Sequence, residues 1–259
     1  MTDASDQWKQ WHERRTETVP APCGPLALTG THWLADYPDG RIPDIPGSWA
    51  ADGGAVVLTA AATDGPTVDG RPVAGRVRLE PDTGPVASPR VALGERRLVV
   101  LVREGAWGVR DYDPGAPARR TFRGVAATAY DPDRAVPGRF APYRESRTVR
   151  VPNAAGRGRG PALDGEPACE LGGERRTLRE ARRPDGSLWA VSADATSEDG
   201  GFRFRFRYAG APDVEGLTAV DLNRAQLPPC AFAGHFARPF PPPGNTLGLA
   251  IPAGERTLL

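Results

Sequence analysis

Hydrophobic and polar positions alternate along most of this chain, and a longer period appears only near its start. Trp8, Trp11 and Arg15 fall three and four residues apart, which predicts an α-helix over residues 4–18 capped by Asp3 or Ser5. Its tryptophans are expected to dock it on a sheet. After a turn and short strand in PCGPLALTGTHWL (Pro22–Leu34), the pattern is one of short strands. AVVLTA (Ala55–Ala60) and RVRLEP (Arg76–Pro81) read as strands, and VDGRPV (Val68–Val73) carries an Asp-Gly hairpin signal. RRLVVLVREG (Arg96–Gly105) reads as a strand buried on both faces. VPNAAGRGRGPALDG (Val151–Gly165) has almost no apolar content and is expected to be a surface loop. Strands resume in EPACEL, RTLREA and SLWAVSA before a proline-rich tail.

The predicted class is therefore mainly β: an antiparallel barrel or two-layer β-sheet with one N-terminal α-helix. The expected layout is a helix in residues 1–20, a first β half over 21–151, a loop at 152–162 and a second β half over 163–259, or else one continuous domain. GFRFRFRY (Gly201–Tyr208) sharpens the question of what the sheets present. Strand side chains alternate, so Phe202, Phe204, Phe206 and Tyr208 should pack inward while Arg203, Arg205 and Arg207 line the other face. Those arginines either meet water and guard an edge or bind an anion.

Composition narrows the classes. Net charge is +1 over 259 residues, with no global drive toward nucleic acid or anionic membrane. Lys9 is the single lysine, so the basic side is a set of planar guanidinium forks. Gly 31 and Pro 28 are high, yet real apolar segments separate them, which favours tight loops over disorder. Cys23, Cys169 and Cys230 are an odd count and read as reduced thiols. With no apolar leader and no long apolar run, a cytoplasmic location is expected, and neither a membrane nor a nucleic acid as partner.

Chemistry-bearing clusters are few. His12, His32 and His235 are scattered with no metal-ligand spacing, so no metal and no cofactor is expected. GRGRG (Gly156–Gly160) lacks the strand, helix and Lys-Ser/Thr pair of a phosphate loop. DLNRAQLPPCAF (Asp221–Phe232) gathers Asp221, Asn223, Arg224 and Cys230 before and after a double proline. Cys230 is a candidate nucleophile if His235 serves as its base, or else a buried structural thiol. Asp221 and Arg224 could pair to order the turn. In VSADATSEDGG (Val191–Gly201) the acids and hydroxyls can cap their own turn or face the arginine row.

The tail also carries a resemblance. DLNRAQLPPCAF followed by PFPPPGNTLGLAIPAGE resembles the C-terminal signature of the domain-of-unknown-function family numbered 1684, roughly D-F-N-R-A-x-N-P-P-C-A-F, then C-P-x-P-P-x-x-N-x-L and A-G-E. Asp221, Asn223, Arg224, Pro228, Pro229, Cys230, Asn245, Gly254 and Glu255 match. WGVRDYD resembles its G-x-R-x-x-D through Arg110 and Asp113, SADATS its D-A-T-S through Asp194, and RFRYAG its G-R-F-x-Y through Arg205. On this likeness the match runs over nearly the whole chain. Arg238 stands where the family has a second cysteine, His235 where it has a tyrosine and Leu227 where it has an asparagine.

The resemblance singles out Arg205 from its two neighbours and makes Arg110, Asp113, Asp194, Arg205, Asp221, Asn223 and Arg224 a candidate polar site. The expectation is a small-molecule-binding β protein that takes a carboxylate or phosphate there. Two alternatives stand beside it: a cofactor-free enzyme using Cys230 or an aspartate, and a structural role in which arginines and acids neutralise one another. Closed, buried pairs with no adjacent pocket would favour the last. Oligomeric state is not indicated.

Overall fold

A computed structural model describes residues 3–83, 89–149, 162–197, 201–236 and 240–259. The chain is mainly β, built from antiparallel sheets with one N-terminal helix, and one short strand pair is parallel. No strand order closes on itself among the described residues. The helix spans Ala4–Thr18, as the tryptophan spacing predicts, and Trp8 docks through its indole Nε1, which donates to the Asn223 carbonyl at 2.9 Å. No helix among the described residues is long and apolar enough to cross a membrane.

The chain divides into two compact units. One comprises residues 15–122; the other, here the C-terminal unit, comprises residues 1–14 with 123–259. The loop expected at 152–162 lies outside the described residues except for Ala162, which opens the strand Ala162–Leu171. That strand pairs with Ala135–Thr148, so this connection joins two strands of one sheet.

In the 15–122 unit a six-stranded sheet runs in the order Leu28–Trp33, Ala106–Tyr112, Arg96–Arg103, Val91–Leu93, Pro66–Val68, Arg71–Pro72. A three-stranded sheet joins Ser48–Asp52, Ala55–Ala60 and Gly75–Leu79. The Asp-Gly hairpin forms where the sequence places it, with both turn residues at positive φ (Asp69 50°, Gly70 78°). Trp49, Val56, Leu58, Leu79, Leu98, Val100 and Val109 form its core. The strand expected to be buried on both faces is so only at Leu98–Val100; Val102 near its end is 42% exposed.

In the C-terminal unit a four-stranded sheet orders Glu174–Thr177, Ala162–Leu171, Ala135–Thr148 and Leu217–Asp221. A second sheet orders Ala181–Arg182, Leu188–Asp194 and Arg205–Ala209, with Thr246–Leu247 running parallel to Leu188–Asp194. Phe204, Phe206, Val191, Ala193 and Cys230 make one apolar cluster; Cys169, Leu171, Leu178, Val220, Leu222, Leu247 and Ile251 make another.

Candidate functional site

The aromatic side of GFRFRFRY alternates inward as expected only in its middle, since Phe202 is half-buried and Tyr208 is 39% exposed. Phe204 and Phe206 are buried, and Trp189 meets Phe206 edge-on at 5.2 Å between ring centroids. The other side departs from a solvated face. Arg203 is exposed, whereas Arg205 and Arg207 are buried. Read alone, a charged strand face points to water; here the strand has protein on both faces, and each buried guanidinium is captured by a carboxylate.

Arg205 donates through Nη2 to Asp194 and, at 3.0 Å, to the Thr196 hydroxyl, and through Nη1 to the Ala253 carbonyl at 2.5 Å. Asp194 spends its other oxygen on the Thr196 amide (2.8 Å), the Thr196 hydroxyl (2.6 Å) and the Ile251 amide (3.2 Å). The aspartate thus caps its own turn and also faces the arginine row. Burial lowers the Arg205 pKa, and the adjacent Asp194 opposes that shift. The void beside the pair, lined by Ser192, Leu222, Ala225 and Ile251, holds about 10 Å³, the room of roughly one water.

The remaining sequence-selected residues are distributed. Asp221 accepts from the Asn223 amide at 3.0 Å and pairs with Arg224 at 3.3 Å, ordering the turn as the sequence suggests. Asn223 is 1% exposed and reads the backbone of Asp131 from both ends of its amide, accepting from its N–H at 3.0 Å and donating to its carbonyl at 2.9 Å. Arg110 and Asp113 belong to the 15–122 unit, not to the unit that holds the other five. Arg110 lies half-buried, its pKa lowered by burial against an opposing effect of Tyr112. Asp113 caps a turn by accepting from the Gly115 amide at 2.7 Å.

Cys230 lies in the aromatic cluster at 8% exposure, while His235 is exposed. Iodoacetamide is therefore expected to alkylate native Cys230 more slowly than half-buried Cys23, as peptide mapping by mass spectrometry would show. Faster reaction at Cys230 would revive the nucleophile reading. Glu198 and Asp199 lie outside the described residues. Among those described, no group of three or more His, Cys, Asp or Glu side chains could hold a metal ion.

Sequence reasoning missed two features. Arg207, taken as a solvated neighbour of Arg205, forms an ion pair with Glu180 in which the side chains are 1% and 0% exposed. Their sequence separation left no local signal. The other is a cleft of about 410 Å³ in the 15–122 unit, lined by Leu34, Ala35, Tyr37–Gly40, Ser48–Ala51 and Gly105–Trp107. Trp49 is a buried member of the lining, and Tyr37 and Trp107 are half-buried against the same core. Gly40 sits at φ 73°, and a Cβ there would come 2.5 Å from the Ser48 hydroxyl oxygen, so glycine keeps the Ser48 side open. WGVRDYD was read for Arg110 and Asp113; the tryptophan heading it, just past the Glu104-Gly105 turn, was the available signal.

Residues 120–256 match the model of a family described as a protein of unknown function, DUF1684. The matched stretch includes the C-terminal motif and leaves Arg110 and Asp113 outside it. No curated protein matches the chain. Among solved structures, the chain is similar to an uncharacterised protein of Haloarcula marismortui determined by solution NMR, with 28% identity and a TM-score of 0.45 over 54% of this chain and 80% of that one. The family model spans more than half of the 259 residues, and the chain belongs to the DUF1684 family of proteins of unknown function.

Proposed function

We propose that this protein binds a small molecule in the cleft lined by Tyr37, Ser48 and Trp107, and that the arginine–acid network of the C-terminal unit is scaffold. The observation that carries the reading is the contrast in room. The cleft offers about 410 Å³ with aromatic walls, within the roughly 300–1,000 Å³ of small-molecule sites. The void at Arg205 offers about 10 Å³. A carboxylate or phosphate at Arg205 would have to displace Asp194, Thr196 and the Ala253 carbonyl, each already bonded to the guanidinium. That cost supports a structural role for Arg205, Asp194, Asp221, Asn223 and Arg224.

The ligand in this reading has a flat apolar face that stacks on Trp107. Benzyl alcohol serves as the probe. Trp107→Ala is expected to weaken its binding about tenfold, or about 1.4 kcal/mol, with Trp107→Leu as a second variant that fills more of the lost volume. Titration followed by two-dimensional NMR checks this. Unchanged affinity in both folded variants would overturn the cleft as the site.

A further inference from the structure

We infer that the cleft selects a positively charged ligand, an amine or quaternary ammonium carried on a flat apolar group. The inference rests on the proposed cleft and adds the charge of its occupant. Asp39 is the single charged residue of the lining, and it is exposed. One of its oxygens accepts from the Arg41 amide at 3.0 Å, which holds the carboxylate in a turn. The other takes no hydrogen bond or ion pair among the described residues, and neither does the lining hydroxyl of Ser48. The nearest arginine in sequence, Arg41, lines a separate groove with Ile42, Asp44 and Pro46.

An anion would meet the Asp39 carboxylate in this cleft, whose lining holds no guanidinium. A cation would meet that carboxylate together with the aromatic side chains of Tyr37 and Trp107, ring types whose faces attract positive charge within about 6 Å of the centroid. Half-buried walls strengthen both attractions by excluding water from one side of the ligand. The cleft is thus opposite in preference to the carboxylate or phosphate that the motif arginines suggested.

The test compares three probes that share a benzyl group: benzyltrimethylammonium, benzyl alcohol and phenylacetate. Each is titrated by two-dimensional NMR into the full chain and into Asp39→Asn, which keeps the acceptor for the Arg41 amide. The expected result is that benzyltrimethylammonium binds about tenfold tighter than benzyl alcohol, phenylacetate weakest, and that Asp39→Asn removes the advantage while leaving benzyl alcohol unchanged. Equal affinities, or phenylacetate tightest, with all shifts still in the cleft, would overturn the charge preference and leave the cleft standing. Binding of none of the probes, or shifts elsewhere, would overturn both.

Discussion

Replacing Glu180 with alanine should destabilise the C-terminal unit by about 3–5 kcal/mol, because it strands the guanidinium of Arg207 in a dry interior. Burial pushes the Arg207 pKa down to about 10, so the group is still a cation at neutral pH and cannot escape by losing its proton. What would remain to it is the Ala219 carbonyl, to which Nη1 donates at 3.2 Å, and the through-space attraction of Asp221. The pair itself is a different matter. Its desolvation offsets much of its attraction, so Glu180→Leu combined with Arg207→Met should recover most of the loss. Urea denaturation of the two single variants and the double variant forms the cycle. A Glu180→Ala protein within about 1 kcal/mol of wild type would place this pair with exposed ones and contradict the burial.

The second large effect is expected at Asn245, a motif residue with 0% exposure. Its Oδ1 accepts from the Arg179 amide at 2.8 Å, and its Nδ2 donates to the carbonyls of Arg179 and Val191, both at 2.9 Å. Alanine would leave one donor and two acceptors without partners. At about 1–3 kcal/mol for each buried group left unsatisfied, with partial rescue by water at the half-buried Arg179, the loss should be about 3–5 kcal/mol. That is a large share of the roughly 5–15 kcal/mol stability of a typical domain. Asn223→Ala should cost less, about 1–2 kcal/mol. Its side chain makes two such bonds, both to half-buried Asp131, whereas Asn245 makes three and one of them goes to buried Val191. Equal losses at the two asparagines in denaturation curves would contradict the ranking by burial.

These expectations recast the family motif. Asn223 and Asn245 clamp backbone segments, and buried Glu255 accepts from the Leu227 amide at 2.7 Å. Gly254 sits at φ 73°, where a Cβ would come 2.6 Å from the Ala225 carbonyl oxygen, so only glycine lets the two segments approach this closely. A motif rich in polar residues reads as a site in sequence; here most of its members satisfy the chain's own donors and acceptors.

What was legible follows from range. The helix over Ala4–Thr18, the Asp-Gly turn and the Asp221–Arg224 pair are local, and spacing alone carries them. The burial of Arg205 and Arg207 is not local. It depends on what covers the second face of their strand, namely Asp194 with Ala253 for one and Glu180 with Ala219 for the other. The cleft was equally hidden, since its walls come from three separated segments and only Trp107 offered a signal in sequence. Arg110 and Asp113 were selected by motif, and their membership of a different compact unit from the other five is not a local property of the chain.

Ligand binding is proposed to belong to the cleft and not to the arginine network. A single two-dimensional NMR titration tests it, using benzyltrimethylammonium and phenyl phosphate on the same sample. Shifts from benzyltrimethylammonium are expected to be confined to residues 34–35, 37–40, 48–51 and 105–107, with none from phenyl phosphate at Asp194, Arg205 or Ala253. Shifts from phenyl phosphate at those three positions, with a silent cleft, would contradict it.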